Sequence, residues 1–320
     1  MPDPLLALDL GGTKIRAALV HGIEAAGAGS TSAGSSAPRL ENIAEVPTPA
    51  MEGPEAVLTA VLGLADRVRG DVRVRAVGVS SAGVVDATAG RITHATSSMR
   101  DWAGTDVRTP LAARLGAPVS VLNDVHAHGL GEARCGAGRG RTSLLLLAIG
   151  TGIGGCHVLH GDVVAGARGA AGHAGHVPVP EAEGVPCPCG RSGHLEGLAS
   201  GPGILRLATM LGAGPAAADG RTLAAAAAEG DAAALEAYRR AGRATGRALG
   251  ALLNVVDPEV VALSGGVAEV GGAWREALDE GVAHEAMDVV AGTPVLPAEA
   301  GSHAALLGAA ARAHDDLSAV

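Results

Sequence analysis

The chain has 320 residues, enough for one large domain or two of ordinary size. With 24 basic against 33 acidic side chains, a net charge of −9 and three aromatic rings (Trp102, Trp274, Tyr238), it lacks the positive field and the stacking platforms of a nucleic-acid binder. Its 48% apolar content excludes wholesale disorder, its 49 glycines keep no three-residue period, and no apolar run reaches the roughly 18 residues of a membrane helix.

In chain order, residues 5–8 and 15–20 read as strands around the turn Asp9-Leu10-Gly11-Gly12-Thr13. Residues 27–38 are a Gly/Ser/Ala-rich loop or hairpin tip. Residues 55–68 carry Val57, Leu58, Val61, Leu62 and Leu64 on one face and predict a helix. A strand over 72–79 enters Ser80-Ser81-Ala82-Gly83. A short helix over 111–115 precedes a buried strand over 118–122 that ends at Asn123-Asp124. Residues 143–149 are the strongest strand and run into Gly150-Thr151-Gly152. Residues 204–256 are Ala-rich and helical, with Asp231 capping a helix that runs to about Val255. A strand over 260–263 enters Ser264-Gly265-Gly266, and a helix over 304–314 ends the chain. Strands alternating with helices predict an α/β architecture. The expected division is a smaller N-terminal domain over 1–122 and a larger one over 123–303.

Phosphates need inward-pointing backbone N–H groups, and glycine lets the backbone come close. Gly11-Gly12-Thr13-Lys14 and Gly150-Thr151-Gly152 both offer this, although each alone reads equally well as a tight hairpin turn. Asp9 before the first loop is placed to hold Mg²⁺ directly or through water. An acidic protein that binds ATP needs such local donors and a metal, because its net field repels the ligand. Asn123-Asp124 lies where open α/β sheets place ligands. There Asp124 suits a base for phosphoryl transfer to an alcohol, with Asn123 orienting the hydroxyl; by local sequence alone an Asx turn is the simpler reading. His176, Cys187, Cys189 and His194 have the spacing H-x10-C-x-C-x4-H, a donor set for a closed, structural Zn²⁺. His173, three residues before His176, is either a second metal ligand, a substrate contact or an incidental polar residue. Cys135 and Cys156 read as buried thiols, and Trp102 as a cleft wall or a packing residue. The start Met-Pro-Asp-Pro lacks a signal-peptide n-region, so a cytoplasmic protein is expected.

Taken together, LALDLGGTKIRAALV, VGVSSAGVVD, SVLNDVHAHGLGEARCGAGRG, LLAIGTGIGG, AGHAGH, CPCGRSGHLEGLASG and NVVDPEVVALSGGVA resemble the ROK sugar kinases along nearly the whole chain. The resemblance implies a two-domain actin-like ATPase fold with nucleotide and sugar in the interdomain cleft, the last helix (about 304–320) packing back on the N-terminal domain. It implies an ATP- and Mg²⁺-dependent kinase acting on O6 of a hexose or amino-sugar, with Asp124 as base and Asn123 on the neighbouring hydroxyls. Gly11, Gly12, Thr13, Lys14, Thr151 and Gly152 would face phosphates, and Gly265 and Gly266 the adenosine. Ser81, Ala82 and Gly83 would flank the sugar, His176 would touch it and ligate zinc, and Glu196 would bind the hydroxyls around C1 and C2. A homodimer is the common assembly of this family. Three departures stand out: His173 replaces the Glu of Glu-x-Gly-His, His194 replaces the last Cys of the zinc knuckle, and Ala82-Gly83 replaces Pro-Gly. The first points away from glucose toward an amino-sugar, an N-acylated sugar, a sugar acid or a cyclitol. It also leaves a non-catalytic sugar sensor as the alternative. Because the first phosphate motif starts at Asp9, the N-terminal DNA-binding segment of the family's repressors is not expected.

Overall fold

The computed structural model describes residues 3–23, 37–96 and 98–318; most of the Gly/Ser-rich loop expected over 27–38 lies outside them. β1 (Leu5–Leu10), β2 (Lys14–His21) and β3 (Arg39–Pro47) form an antiparallel meander. Next come α1 (Pro54–Arg69), β4 (Val77–Ser81), the hairpin β5 (Val84–Asp86) and β6 (Arg91–His94), α2 (Arg108–Leu115) and β7 (Val119–Asn123). β4 lies parallel to β1, and β7 parallel to β4, so the sheet order is β3-β2-β1-β4-β7. α3 (Asp124–Cys135) then leads to β8 (Ser143–Ile149), β9 (Ile153–Leu159) and β10 (Asp162–Val163). After α4 (Leu195–Ala199), α5 (Gly201–Met210), α6 (Gly220–Ala228) and α7 (Ala232–Val256) come β11 (Val261–Ser264), α8 (Gly272–Glu285), β12 (Val295–Pro297) and α9 (Ala304–Ser318). The second sheet has the order β10-β9-β8-β11-β12, with β11 parallel to both β8 and β12. Each sheet is thus a three-strand meander extended by two parallel strands beside its first strand. That duplicated topology is the actin-like ATPase fold.

Contacts divide the chain into two units. One comprises Met1–Leu144, Cys156–Ala171 and Glu299–Val320; the other Leu145–Gly155 and Gly172–Ala298. This corrects the boundary expected at 122/123. α3 belongs to the first unit because it packs against α9, which also covers β1 and β4. Gly131 and Gly308 permit that pairing: a Cβ on Gly308 would overlap the Ala127 carbonyl, and one on Gly131 the Ala304 carbonyl. Buried Glu132 clamps the start of this segment to α3. Its Oε2 accepts the N–H of Ala137 at 3.0 Å and of Glu299 at 3.0 Å, and its Oε1 that of Ala300 at 2.9 Å. The core of this unit includes Leu6, Leu8, Leu10, Val77, Val79, Val121 and Trp102.

The strand expected from residue 72 begins at Val77. Its partner β7 begins only at Val119, and before Val77 the chain makes single bonds such as Arg75 N–H to Pro4 O at 3.0 Å. In the second unit, β8 and β11 place Leu145, Leu147, Ile149, Val261 and Leu263 in a core closed by α7 and α8, with Trp274 and Leu249 fully buried. α7 starts where Asp231 accepts the N–H of Ala234 at 2.8 Å. Among the described residues no helix is long and apolar enough to cross a membrane.

Gly308→Ala tests the α3–α9 contact. The added methyl has to push the α3 and α9 backbones apart, so it should destabilise the protein by about 1–3 kcal/mol. This is read as a lower thermal midpoint, whereas Ala310→Gly on the same helix should show only a modest propensity loss of about 1 kcal/mol.

Candidate active site

In the first unit the site residues sit at the C-terminal ends of parallel strands. β1 ends in a hairpin turn in which Gly11 N–H donates to Lys14 O at 3.1 Å and Thr48 Oγ1 donates to Gly11 O at 2.7 Å. Gly11 and Gly12 are half-buried and Thr13 is exposed. Lys14 turns its ammonium to Glu45 on β3, 3.2 Å away on the surface. Asp9 is fully engaged. Arg16 donates to its Oδ2 from Nη2 at 2.6 Å and from Nε at 3.2 Å, and Ser80 Oγ donates to Oδ1 at 2.8 Å. Arg16 and Ser80 escaped sequence reasoning. Strand register, which leaves no local signal in the sequence, puts Arg16 directly across from Asp9 and Ser80 beside it in the sheet.

β4 delivers Ser81, Ala82 and Gly83. Gly83 has φ +95° and a Cβ there would overlap His94 O, so only glycine fits. Trp102 is 1% exposed and does not form a wall of an open cleft. Its indole N–H reaches Ser81 Oγ at 3.3 Å and Ala82 O at 3.2 Å, which holds this loop from behind.

β7 delivers Asn123 and Asp124, and the Asx-turn reading proves half the story. Asn123 is the N-cap of α3: its Oδ1 accepts the N–H groups of Val125 at 3.1 Å and His126 at 3.2 Å. Its amide donates to Gly83 O at 2.9 Å and to Asp124 Oδ1 at 2.8 Å. Asp124 Oδ1 also accepts its neighbour's N–H, from Val125 at 2.9 Å. Burial, with a smaller contribution from the Asp9 charge, pushes the Asp124 carboxyl up to about 6 against the opposing pull of the Val125 bond.

In the second unit Gly150-Thr151-Gly152 leaves β8. Gly150 N–H donates to Gly152 O at 2.9 Å, and Gly201 N–H, opening α5, donates to Gly150 O at 2.8 Å. Thr151 is exposed. Gly265, with φ +91°, packs on Ile149 where a Cβ would overlap the carbonyl, and Gly266 next to it is exposed. Glu196, in the first turn of α4, accepts the Ile153 N–H through Oε2 at 2.8 Å. It therefore ties α4 to the end of the Gly-Thr-Gly loop.

His173 is exposed, and its ring centre lies 5.9 Å from that of His176. His176, Cys187, Cys189 and His194 bring one donor atom each within 4.8 Å of one another. Cys187 Sγ is 3.7 Å from His176 Nδ1, and Cys189 Sγ 3.2 Å from His194 Nδ1. A tetrahedral ion with Zn–S about 2.3 Å and Zn–N about 2.1 Å has an S···N edge of about 3.6 Å, so the set fits zinc. The state of the groups agrees: burial lowers His176 toward neutral imidazole, and the Arg191 N–H lowers the Cys189 thiol. Cys135 and Cys156 are inert by comparison, burial pushing both thiols up, Cys135 to about 11. For Mg²⁺ the relevant donor is Asp9. With Arg16 on one oxygen and Ser80 on the other, it fits an ion held through water better than one bound directly.

The sequence model of the ROK family matches residues 5–316. A glucokinase of Thermotoga maritima is 35% identical over 247 residues, covering 73% of this chain and 77% of its own. The crystal structure of a ROK hexokinase from Thermus thermophilus superposes with a TM-score of 0.84 at 34% identity, over 99% of this chain and all of the other. A ROK family glucokinase from Streptomyces griseus, solved with glucose and AMPPNP, gives 0.78 at 28% identity, over 97% and 99% of the two chains.

Proposed function

The chain belongs to the ROK family, and on that premise we propose that it is an ATP-dependent sugar kinase with Asp124 as the general base. The observation that carries the reading is the state of Asp124: a carboxylate raised to about 6, its Oδ1 taken up by Asn123 and Val125, which leaves Oδ2 to accept a proton. A base of that strength is largely ionised at neutral pH yet basic enough to take the proton of an alcohol as it attacks.

The reaction is in-line phosphoryl transfer. The acceptor hydroxyl, most simply O6 of a hexopyranose, gives its proton to Asp124 and attacks the γ-phosphorus while the bond to the ADP oxygen breaks. Ser81, Gly83, Asn123, His173, His176 and Glu196 are the acceptor contacts that the family resemblance implies. Glu196 would use Oε1, since Oε2 is held by Ile153. The turn at Gly11, Gly12 and Thr13, with Lys14 at its end, and the loop at Thr151 and Gly152 supply N–H and hydroxyl donors to the phosphates. Gly265 and Gly266 leave backbone room for the adenosine. Mg²⁺, when bound, would neutralise phosphate charge, with Asp9 holding it through water. His176, Cys187, Cys189 and His194 would hold a zinc ion with four protein ligands, so the metal would be structural and would brace residues 173–196. We expect the protein to act in the cytoplasm as a homodimer.

His173 favours an acceptor other than glucose. A carboxylate there accepts bonds from two hydroxyls, whereas a neutral imidazole offers one donor and one acceptor. An amino-sugar, N-acylated sugar, sugar acid or cyclitol fits that change.

The reading is tested by ADP release with Mg-ATP over a panel of glucose, mannose, glucosamine, N-acetylglucosamine, N-acetylmannosamine, a uronic acid and inositols. Turnover with one of them is expected; calorimetric binding of a sugar without turnover would instead indicate a sensor. Asp124→Asn should lower kcat by about 10²–10⁴-fold while the acceptor still binds, and near-normal turnover would remove Asp124 from the base role. Because the base must be ionised and its carboxyl is raised, kcat/KM for the acceptor should fall about tenfold per pH unit below about pH 6. A profile flat from pH 5 to 8 would contradict this. His173→Glu should shift preference toward glucose in the same panel. Metal analysis should find one zinc per chain, and Cys187→Ser should lose it together with several degrees of thermal midpoint.

A further inference from the structure

The ring of His126 lies two residues beyond the base, yet the acceptor-binding roles above do not use it. It is 5% exposed and sits in the first turn of α3, where its own N–H is held by Asn123 Oδ1 at 3.2 Å. Its Nε2 lies 2.8 Å from the carbonyl oxygen of Ala171. A carbonyl only accepts, so Nε2 carries the proton and donates. The far end of that bond is informative. Ala171 is followed by Gly172, with φ +91°, and then by His173. The carbonyl of Gly172 is in turn held by Gly155 N–H at 2.6 Å and Ala174 N–H at 2.7 Å. Ala171 N–H is fixed to Ala165 O at 2.9 Å. The carbonyls of Ala171 and Gly172 are therefore both held, and the His173 carbonyl accepts the His176 N–H at 3.0 Å. The pin on Ala171 comes from the same helical turn that presents Asp124.

Resting on the kinase reading, we infer that His126 is a positioning residue for acceptor recognition. It ties Ala171, two residues before His173 in the chain, to the turn that carries the base. It touches no reacting atom. The tether is the Nε2–H···O bond to Ala171, and a side chain of similar reach with a donor at its tip can replace that bond. A glutamine qualifies; a leucine fills the space but leaves the Ala171 carbonyl without that partner.

Two readouts on His126→Leu and His126→Gln decide the matter. The first is amide hydrogen exchange of the full-length protein over residues 165–180, which needs no turnover. Exchange at 171–174 should quicken in the leucine variant and return toward wild type in the glutamine variant; unchanged exchange in His126→Leu overturns the tether. The second is steady-state kinetics with whichever acceptor the wild type uses. The acceptor KM should rise about tenfold in His126→Leu, with the Mg-ATP KM within about twofold of wild type and recovery in His126→Gln. Equal losses toward both substrates, or a lowered thermal midpoint with an unchanged acceptor KM, would show a merely structural residue and overturn the positioning role. A wild-type protein that turns over no acceptor sinks the kinase reading instead, and the exchange result still decides the tether.

Discussion

The Asn123 side chain closes the junction between β7 and α3, and the proposed base and the Ser81–Gly83 loop are held from that junction. Its oxygen caps the helix through Val125 and His126, while its amide reaches Gly83 and the Asp124 carboxylate. One side chain thus fixes where the strand stops, where the helix starts, how the neighbouring Ser81–Gly83 loop lies, and which oxygen of Asp124 stays available. The rest of α3 extends the same frame: His126 holds Ala171, and Glu132 gathers the N–H groups of Glu299 and Ala300 before α9. About two turns of helix, at roughly 5.4 Å each, carry the base, the tether and the clamp in one rigid piece.

An acidic protein that handles a polyphosphate has to manage its own field. Net charge of −9 opposes the ligand at long range, but screening confines that effect to roughly 8–10 Å at physiological salt. Local arrangement then decides. Asp9 is neutralised by Arg16 before any ligand arrives, and Asp124 has its negative form destabilised by burial. The Gly-rich turns present backbone donors whose partial charges need no counter-ion. The same device, a carboxylate spent on a backbone N–H, recurs at Glu196.

Residues 173–196 have almost no regular structure beyond two single helical turns, Ala174–His176 and Pro180–Ala182. A segment with so few ladder bonds is held by cross-links. One would be a zinc ion on the four-donor His/Cys cluster proposed above. Another is Arg247 of α7, which reaches Glu181 at 3.0 Å and Glu285 at 2.9 Å and so fastens the segment to the helical layer of the second unit. His194 in place of the last Cys of the resembled knuckle would change one donor from sulfur to nitrogen while keeping it in the cluster, its Nδ1 lying 3.2 Å from Cys189 Sγ.

Much of this was legible in the sequence. The uninterrupted apolar run of residues 144–149 marked its strand, Ser143–Ile149, because a strand buried on both faces needs no alternation. Asp231 announced α7 by a local side-chain bond, and the Gly-rich turns, the Asn123 cap and the His/Cys donor cluster were each announced by their own residues, since glycines, caps and closely spaced donors act over a few residues. α3, α8, β3 and β12 were not legible. α3 reads DVHAHGLGEARC, a poor helix by propensity, and forms because Asn123 caps it and α9 packs on its glycines. β3 and β12 are edge strands whose residues gain their conformation from a partner distant in sequence. Only tertiary structure decided that Arg16 faces Asp9, that Trp102 supports the Ser81 loop from within the core, that Lys14 pairs with Glu45, and that His126 reaches Ala171. Each is a contact across 7 to 45 residues of chain, fixed by strand register or helix packing, and none leaves a local mark on the residues it joins.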